Sequence, residues 1–133
     1  MKIKPKIGVV SCSGECCGLG TISRVATRFA LERSDEAVTI CLPLFLAGES
    51  TEHSFARDHP TIAVDGCGKH CAYKAITKYI KEPAAGVDVE ALIKEWDIEA
   101  PKRRRTLEGD GLKAALRLAE LLAVKIDEIQ EAV

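Results

Sequence analysis

Apolar and polar positions alternate along the chain in two different periods. Short continuous apolar runs rich in Val and Ile have the length of buried β-strands. The predicted strands are residues 6–11, 37–41 and 61–65. Longer segments repeat apolar residues every three or four positions, as amphipathic helices do. The predicted helices are residues 21–33, 50–57, 69–82 and 112–129.

The region 84–100 is compatible with two structures, a short helix from Asp88 through Trp96 or a fourth strand over 87–92. Strands that alternate with helices predict a parallel sheet with right-handed crossovers. We therefore expect a single α/β domain over residues 1–133. It would have three layers, with a three- to four-stranded, mainly parallel sheet between helices, in the Rossmann/flavodoxin-like manner. Such folds bind ligands beyond the carboxyl ends of the strands.

Cysteines occupy the ends of all three predicted strands. Cys12, Cys41 and Cys67 each follow one strand, and Cys71 lies one helical turn after Cys67. If the strands are parallel neighbours, these thiols meet at one edge of the sheet. Four converging thiols suit a tetrahedral site for a soft metal ion, and Zn²⁺ is the usual occupant. The sequence therefore predicts zinc binding at this edge.

Two further thiols, Cys16 and Cys17, lie in the loop 12–20. Vicinal cysteines rarely bind one metal ion together, so they are candidates for additional metal ligands or redox thiols. An iron–sulfur cluster held by one of them in place of Cys41 is an alternative. A cysteine at a helix start is also a candidate nucleophile for redox or sulfur-transfer chemistry.

Three residues beside the thiols are candidates for the surroundings of the metal. Asp65 is expected to hold the turn by accepting hydrogen bonds from backbone N–H groups, or to accept a hydrogen bond from a residue that binds the metal. Four thiolates around Zn²⁺ carry a net charge of about −2, and Lys69 and His70 are the nearest basic side chains. A solvated first turn of the helix explains Lys69 and His70 equally well.

The overall composition limits the classes of partner and the cellular compartment that are expected for this protein. The 133 residues are 47% hydrophobic and 29% charged with a net charge of −1, so nothing favours a nucleic acid or a membrane surface. The basic run 102–105 is expected to be a solvated loop. Neither a signal peptide nor a bilayer-spanning segment is recognisable, which predicts a cytoplasmic protein. In that reducing compartment, six cysteines indicate metal ligands or redox thiols.

The ordered set of thiols resembles the DGC-domain family, named for its Asp-Gly-Cys motif, here Asp65-Gly66-Cys67. The resemblance covers roughly residues 6–100. It implies zinc binding by four chelating cysteines, which fall by position on Cys12, Cys41, Cys67 and Cys71. The adjacent Cys16 and Cys17 are not part of the family pattern. The resemblance implies a site and no particular reaction.

The first hypothesis is therefore a zinc-binding protein. A closed site of four thiolates leaves no position for water, so its metal would be structural or regulatory. The alternatives are a cysteine-based redox or sulfur-transfer enzyme and an iron–sulfur electron carrier. The sequence leaves open whether the protein is an enzyme, and it identifies no protein partner or substrate.

Overall fold

The computed structural model describes residues 4–12 and 17–133. Its strands are β1 (Ile7–Ser11), β2 (Ala37–Thr39), β3 (Thr61–Asp65) and β4 (Ala85–Asp88). Its helices are α1 (Gly18–Arg33), α2 (Leu42–Leu46), α3 (Ser50–Asp58), α4 (Cys71–Tyr79), α5 (Val89–Glu95) and α6 (Gly109–Ala132). Within these described ranges, none of the helices has both the length and the apolarity needed to cross a bilayer.

The four strands form one parallel sheet in the order β2-β1-β3-β4. This confirms the predicted α/β fold and adds the fourth strand that the sequence left open. The chain moves from β1 outward to β2 and then crosses back to β3 on the other side of β1. The reversal therefore lies between β1 and β3, which is where ligands of such sheets usually bind.

Helices cover both faces of the sheet, which explains why the strands are almost continuously apolar. Val9, Ile62 and Val64 face a core formed with α1, α5 and α6. Val10 and Ala63 face a second core formed with α2, α3 and α4. The side chains alternate between the two cores because successive strand residues point to opposite faces.

Several boundaries differ from the predicted ones for local reasons. Helix α1 begins at Gly18 rather than at residue 21, immediately after the extended backbone of Cys17. Helix α4 begins only at Cys71, because His70 has the left-handed conformation and cannot continue a helix. In 84–100 the helix alternative is confirmed, because the carboxylate of Asp88 caps α5. The strand alternative over 87–92 is wrong in its bounds, because β4 ends at Asp88 and residues 89–92 belong to α5.

Candidate metal centre

The strand ends bring the cysteine-bearing segments to one edge of the sheet. Cys12 directly follows β1, Cys67 lies two residues after β3, and Cys41 lies two residues after β2. Cys71 is the first residue of α4, and Cys17 directly precedes α1. Because β2, β1 and β3 are neighbours, the expected meeting of three strand ends is present in the fold.

Cys12 is half-buried, and its sulfur contacts two neighbouring segments of the chain. Its Sγ atom accepts a hydrogen bond from the backbone N–H of Gly66 at 3.4 Å. It also lies 3.1 Å from the hydroxyl oxygen of Ser23, which donates to the carbonyl oxygen of Gly20 at 2.7 Å. The thiol is thus held between the turn after β3 and the first turns of α1, at the reversal point of the sheet.

Asp65 holds the backbone at the start of α4. Its side chain is buried, and its two carboxylate oxygens accept the N–H groups of Ala72 at 2.7 Å and Tyr73 at 3.0 Å. These are two of the N–H groups that the first turn of a helix leaves without partners. Asp65 therefore caps α4 from the end of the preceding strand, which is the turn-holding role expected from the sequence.

Gly66 is glycine because the backbone of α1 leaves no room for a side chain. A Cβ atom at this position would lie 2.5 Å from the backbone nitrogen of Gly20 and 2.6 Å from the carbonyl carbon of Leu19. The carbonyl oxygen of Gly66 also accepts the N–H of Glu90 at 3.1 Å. The Asp-Gly-Cys motif thus joins β3, α1 and α5 at one tightly packed turn.

His70 makes a side-chain hydrogen bond that the sequence did not predict. Its Nε2 lies 3.0 Å from Oδ2 of Asp88, the last residue of β4, whose Oδ1 accepts the N–H of Ala91 at 3.1 Å. Burial raises the pKa of Asp88, but the hydrogen bonds from His70 and the backbone outweigh it and lower that pKa below its ordinary value. Only the helix-capping half of this role was recognisable, since Asp at a helix start is a common sequence signal.

A cavity of about 230 Å³ lies beside this pair. It opens at the carboxyl ends of β3 and β4, next to the motif turn. Its walls combine the polar side chains of the turn with apolar surface from α4 and β4. The lining residues are Asp65, His70, Tyr73, Gly86, Val87 and Asp88.

The remaining predicted site residues are partly or fully exposed. Cys41 and Cys71 are exposed, Cys67 is half-buried and Lys69 is exposed. The backbone N–H of Cys41 donates to Glu52 at 2.8 Å, and the carbonyl oxygen of Cys67 accepts the N–H of His70 at 3.2 Å.

The sulfur atoms do not converge as their backbone positions do. Over residues 4–12 and 17–133, no three His, Cys, Asp or Glu side chains form a group that could hold a metal ion. Cys16 lies outside the described residues. The structure thus brings the thiol-bearing segments to one edge without arranging their side chains as a coordination shell, and the four-cysteine ligand set stays a prediction.

The basic run 102–105 is anchored beside the same edge by its backbone. The hydroxyl of Thr21 donates to the carbonyl oxygen of Arg104. A Cβ atom on Gly18 would lie 2.7 Å from the carbonyl oxygen of Pro101 and 2.9 Å from that of Arg103. The first turn of α1 therefore packs directly against this loop, whose basic residues are solvent-exposed as expected.

Comparison with known families agrees with the motif. The DGC domain matches residues 8–128, and the chain therefore belongs to the DGC-domain family. The matched region runs beyond the expected residue 100 and includes most of α6, the helix that packs on α1 in the larger core. The curated proteins gave no match to this chain, and neither did the solved structures.

Proposed function

We propose that this protein binds a soft metal ion, Zn²⁺, through cysteine thiolates at the carboxyl edge of the sheet. The observation that carries the proposal is the strand order, because three neighbouring strands each lead into a cysteine. The proposed ligands are Cys12, Cys41, Cys67 and Cys71, with residues 1–133 acting as one zinc-binding domain. A reduced thiolate site implies work in a reducing compartment, the cytoplasm.

The donor set suits zinc in its chemistry. Thiolates are preferred ligands of Zn²⁺, with Zn–S bonds of about 2.3 Å, so the sulfurs must approach to roughly 4 Å of one another. Cys41 and Cys71 have exposed side chains at the starts of helices, where a change of χ1 moves a sulfur without disturbing the core. A closed thiolate site would connect three strand ends, which makes a structural or regulatory metal the expected role.

The test is the metal content of protein purified anaerobically without a metal-affinity tag. We expect about one zinc per chain, lost in Cys67→Ser and retained in Cys17→Ser, a matched removal of a thiol outside the proposed set. Zinc content unchanged in both Cys67→Ser and Cys12→Ser would contradict the proposal. Iron with matching acid-labile sulfide would instead indicate a cluster protein, and Cys16 and Cys17 would then be the first ligands to examine.

Thiol chemistry at Cys12 is a second candidate function, favoured by the hydrogen bonds to its sulfur. The N–H of Gly66 donates to this sulfur and would stabilise a thiolate, whereas the hydroxyl of Ser23 donates its proton to the carbonyl oxygen of Gly20 and can accept the S–H of Cys12. Such a thiolate would attack one sulfur of a substrate disulfide, form a mixed disulfide and release the other sulfur as a thiolate. Cys17, at the start of α1, is the nearest cysteine along the described chain to resolve it.

The rate of alkylation in metal-free protein tests this second function. We expect Cys12 to react fastest of the described cysteines despite its half-buried position. A Cys12 that reacts more slowly than the exposed Cys41 would rule out an activated nucleophile.

A further inference from the structure

One side of the cavity at the ends of β3 and β4 is aromatic and apolar. The ring of Tyr73 lies against the backbone of β4, because a Cβ atom on Gly86 would be only 2.8 Å and 2.9 Å from two of its carbons. Val87 is the other apolar lining residue. A cavity of about 150 Å³ holds benzene in another protein. The 230 Å³ available in this protein therefore accommodates a ligand somewhat larger than one aromatic ring.

The polar side of the cavity carries more acidic than basic groups. Asp65 and Asp88 line it, and His70 is the one nitrogen base among the lining residues that the structure describes. Because His70 bonds to Asp88, an imidazolium would balance only one of the two carboxylates. The lining therefore has an excess of negative charge in either protonation state of His70. Both carboxylates are within reach of one ligand, since they are register partners on strands about 4.8 Å apart.

The buried carboxylate of Asp65 has no cationic partner. Asp65 is 2% exposed, and it forms no ion pair with a Lys, Arg or His side chain among residues 4–12 and 17–133. Each of its oxygens accepts one backbone N–H, whereas a carboxylate can accept about four hydrogen bonds in all. Buried charges are ordinarily paired. Asp65 thus has both an unbalanced charge and spare acceptor capacity toward a ligand in the cavity.

An organic cation suits this cavity better than a metal ion does. Within the described part of the chain, no three His, Cys, Asp or Glu side chains form a group that could hold a metal ion. An organic cation needs no such coordination shell, because its N–H groups donate to carboxylates one by one. Its body can also lie against an aromatic ring, where a nearby positive charge is stabilised by the ring electrons.

We propose that this cavity binds a small organic cation. Its ammonium or amidinium group donates hydrogen bonds to Asp65 and Asp88, and its apolar body packs against the ring of Tyr73. None of the described cysteines lines the cavity. The binding therefore depends neither on the proposed metal ion nor on thiol chemistry.

Three probes of nearly the same shape test the inference, since benzamidine is a cation, benzamide is neutral and benzoate is an anion. Each is titrated into the full-length, reduced, isotope-labelled protein while the backbone amide signals are followed by two-dimensional NMR. We expect benzamidine to bind at least ~10-fold more tightly than benzamide, because hydrogen bonds between charged groups are the stronger ones. Benzoate should not bind. The shifted signals should centre on Tyr73, Gly86 and Val87.

Asp88→Asn measures the contribution of one carboxylate with little change of shape. Asn caps a helix about as well as Asp, so α5 keeps its cap. We expect the preference for benzamidine over benzamide to fall by about 3–10-fold. Asp58→Asn is the matched control, because Asp58 is exposed at the end of α3, at the opposite edge of the sheet, and its removal changes the net charge equally. The preference should be unchanged in that variant.

Several results would overturn the inference. They are equal binding of benzamidine and benzamide, signal shifts centred away from the cavity, and no shift with any of the three probes. A preference that falls equally in Asp58→Asn and Asp88→Asn, or in neither, would also contradict it, because the selection would then not come from this site. Metal content and the rate of thiol alkylation are measured separately, so the proposed function stands or falls on its own results.

Discussion

Two aspartates lie side by side at the carboxyl ends of β3 and β4 and perform different tasks. Asp65 and Asp88 are direct partners in the strand register, and each is followed by a helix whose backbone it caps. Asp65 is only 2% exposed and gives both oxygens to backbone N–H groups. The side chain of Asp88 is 36% exposed, and it gives one oxygen to the backbone and the other to His70.

The difference shows how the position of an aspartate in the sheet determines which groups its carboxylate contacts. Asp65 is the last residue of an inner strand, and both of its oxygens are bonded to the backbone of α4. Asp88 is the last residue of an outer strand and is more exposed to solvent. Its second oxygen is therefore available to hold the imidazole of His70.

The largest expected effect is that of Asp65→Ala. The substitution leaves the N–H groups of Ala72 and Tyr73 without partners at a largely buried turn, at a cost of about 1–3 kcal/mol for each group. We expect the free energy of unfolding of the metal-free protein to fall by roughly 4 kcal/mol, measured by urea denaturation. A loss below about 1 kcal/mol would show that this cap is not a main support of α4.

Gly66→Ala is expected to be the next most damaging change. The new Cβ would meet backbone atoms of Leu19 and Gly20 at 2.5–2.7 Å, and backbone cannot move aside as a flexible side chain can. We expect a loss of about 2–3 kcal/mol in unfolding free energy. Gly68→Ala is the control, since a Cβ there meets nothing within 4 Å; equal effects of the two substitutions would argue against the close packing on α1.

Asp88→Ala should lower the free energy of unfolding by less than Asp65→Ala, although the two residues are partners in the strand register. It removes one cap bond from α5 and one hydrogen bond to a half-exposed histidine. The expected loss is about 1 kcal/mol, as for other helix caps, measured in the same urea series. A loss as large as that of Asp65→Ala would remove the distinction drawn between the two residues.

The stabilisation from Asp88 should also depend on pH. Because the folded pKa of Asp88 lies below its ordinary value of 3.8, its ionised form stabilises the fold fully above that value and the contribution is lost as pH falls through the folded pKa. We expect the difference in unfolding free energy between wild type and Asp88→Asn to shrink as the pH falls below about 4. A difference that grows as the pH falls below about 4 would contradict this sign.

His70→Asn should have the smallest effect on the metal-free fold. Asn tolerates the left-handed backbone better than His, which offsets the loss of the hydrogen bond to Asp88. We expect a change in unfolding free energy within about 0.5 kcal/mol, measured by urea denaturation. A clear loss of stability would mean that the hydrogen bond from the imidazole to Asp88 supports the fold.

The parts of the fold that follow from local pattern were predictable. Apolar runs and helical periodicity gave β1, β3 and the core face of α1, where Ile22, Ala26 and Ala30 are buried. They failed where a single residue interrupts a pattern. The periodic segment 69–82 begins as a helix only at Cys71, because the left-handed His70 precedes it, and the amphipathic stripe gave no sign of that interruption.

The sequence by itself determined the parallel α/β fold and the presence of a cysteine at the end of each of three strands, because both depend on spacing along the chain. Only the tertiary structure decided what each side chain at that edge contacts. The contacts of Asp65 with α4, of Gly66 with α1 and of His70 with Asp88 join segments 7 to 47 residues apart, and no local pattern encodes them. Strand order alone placed Asp88 beside Asp65 and far from Cys41, since that order is set by which sheet faces the helices bury.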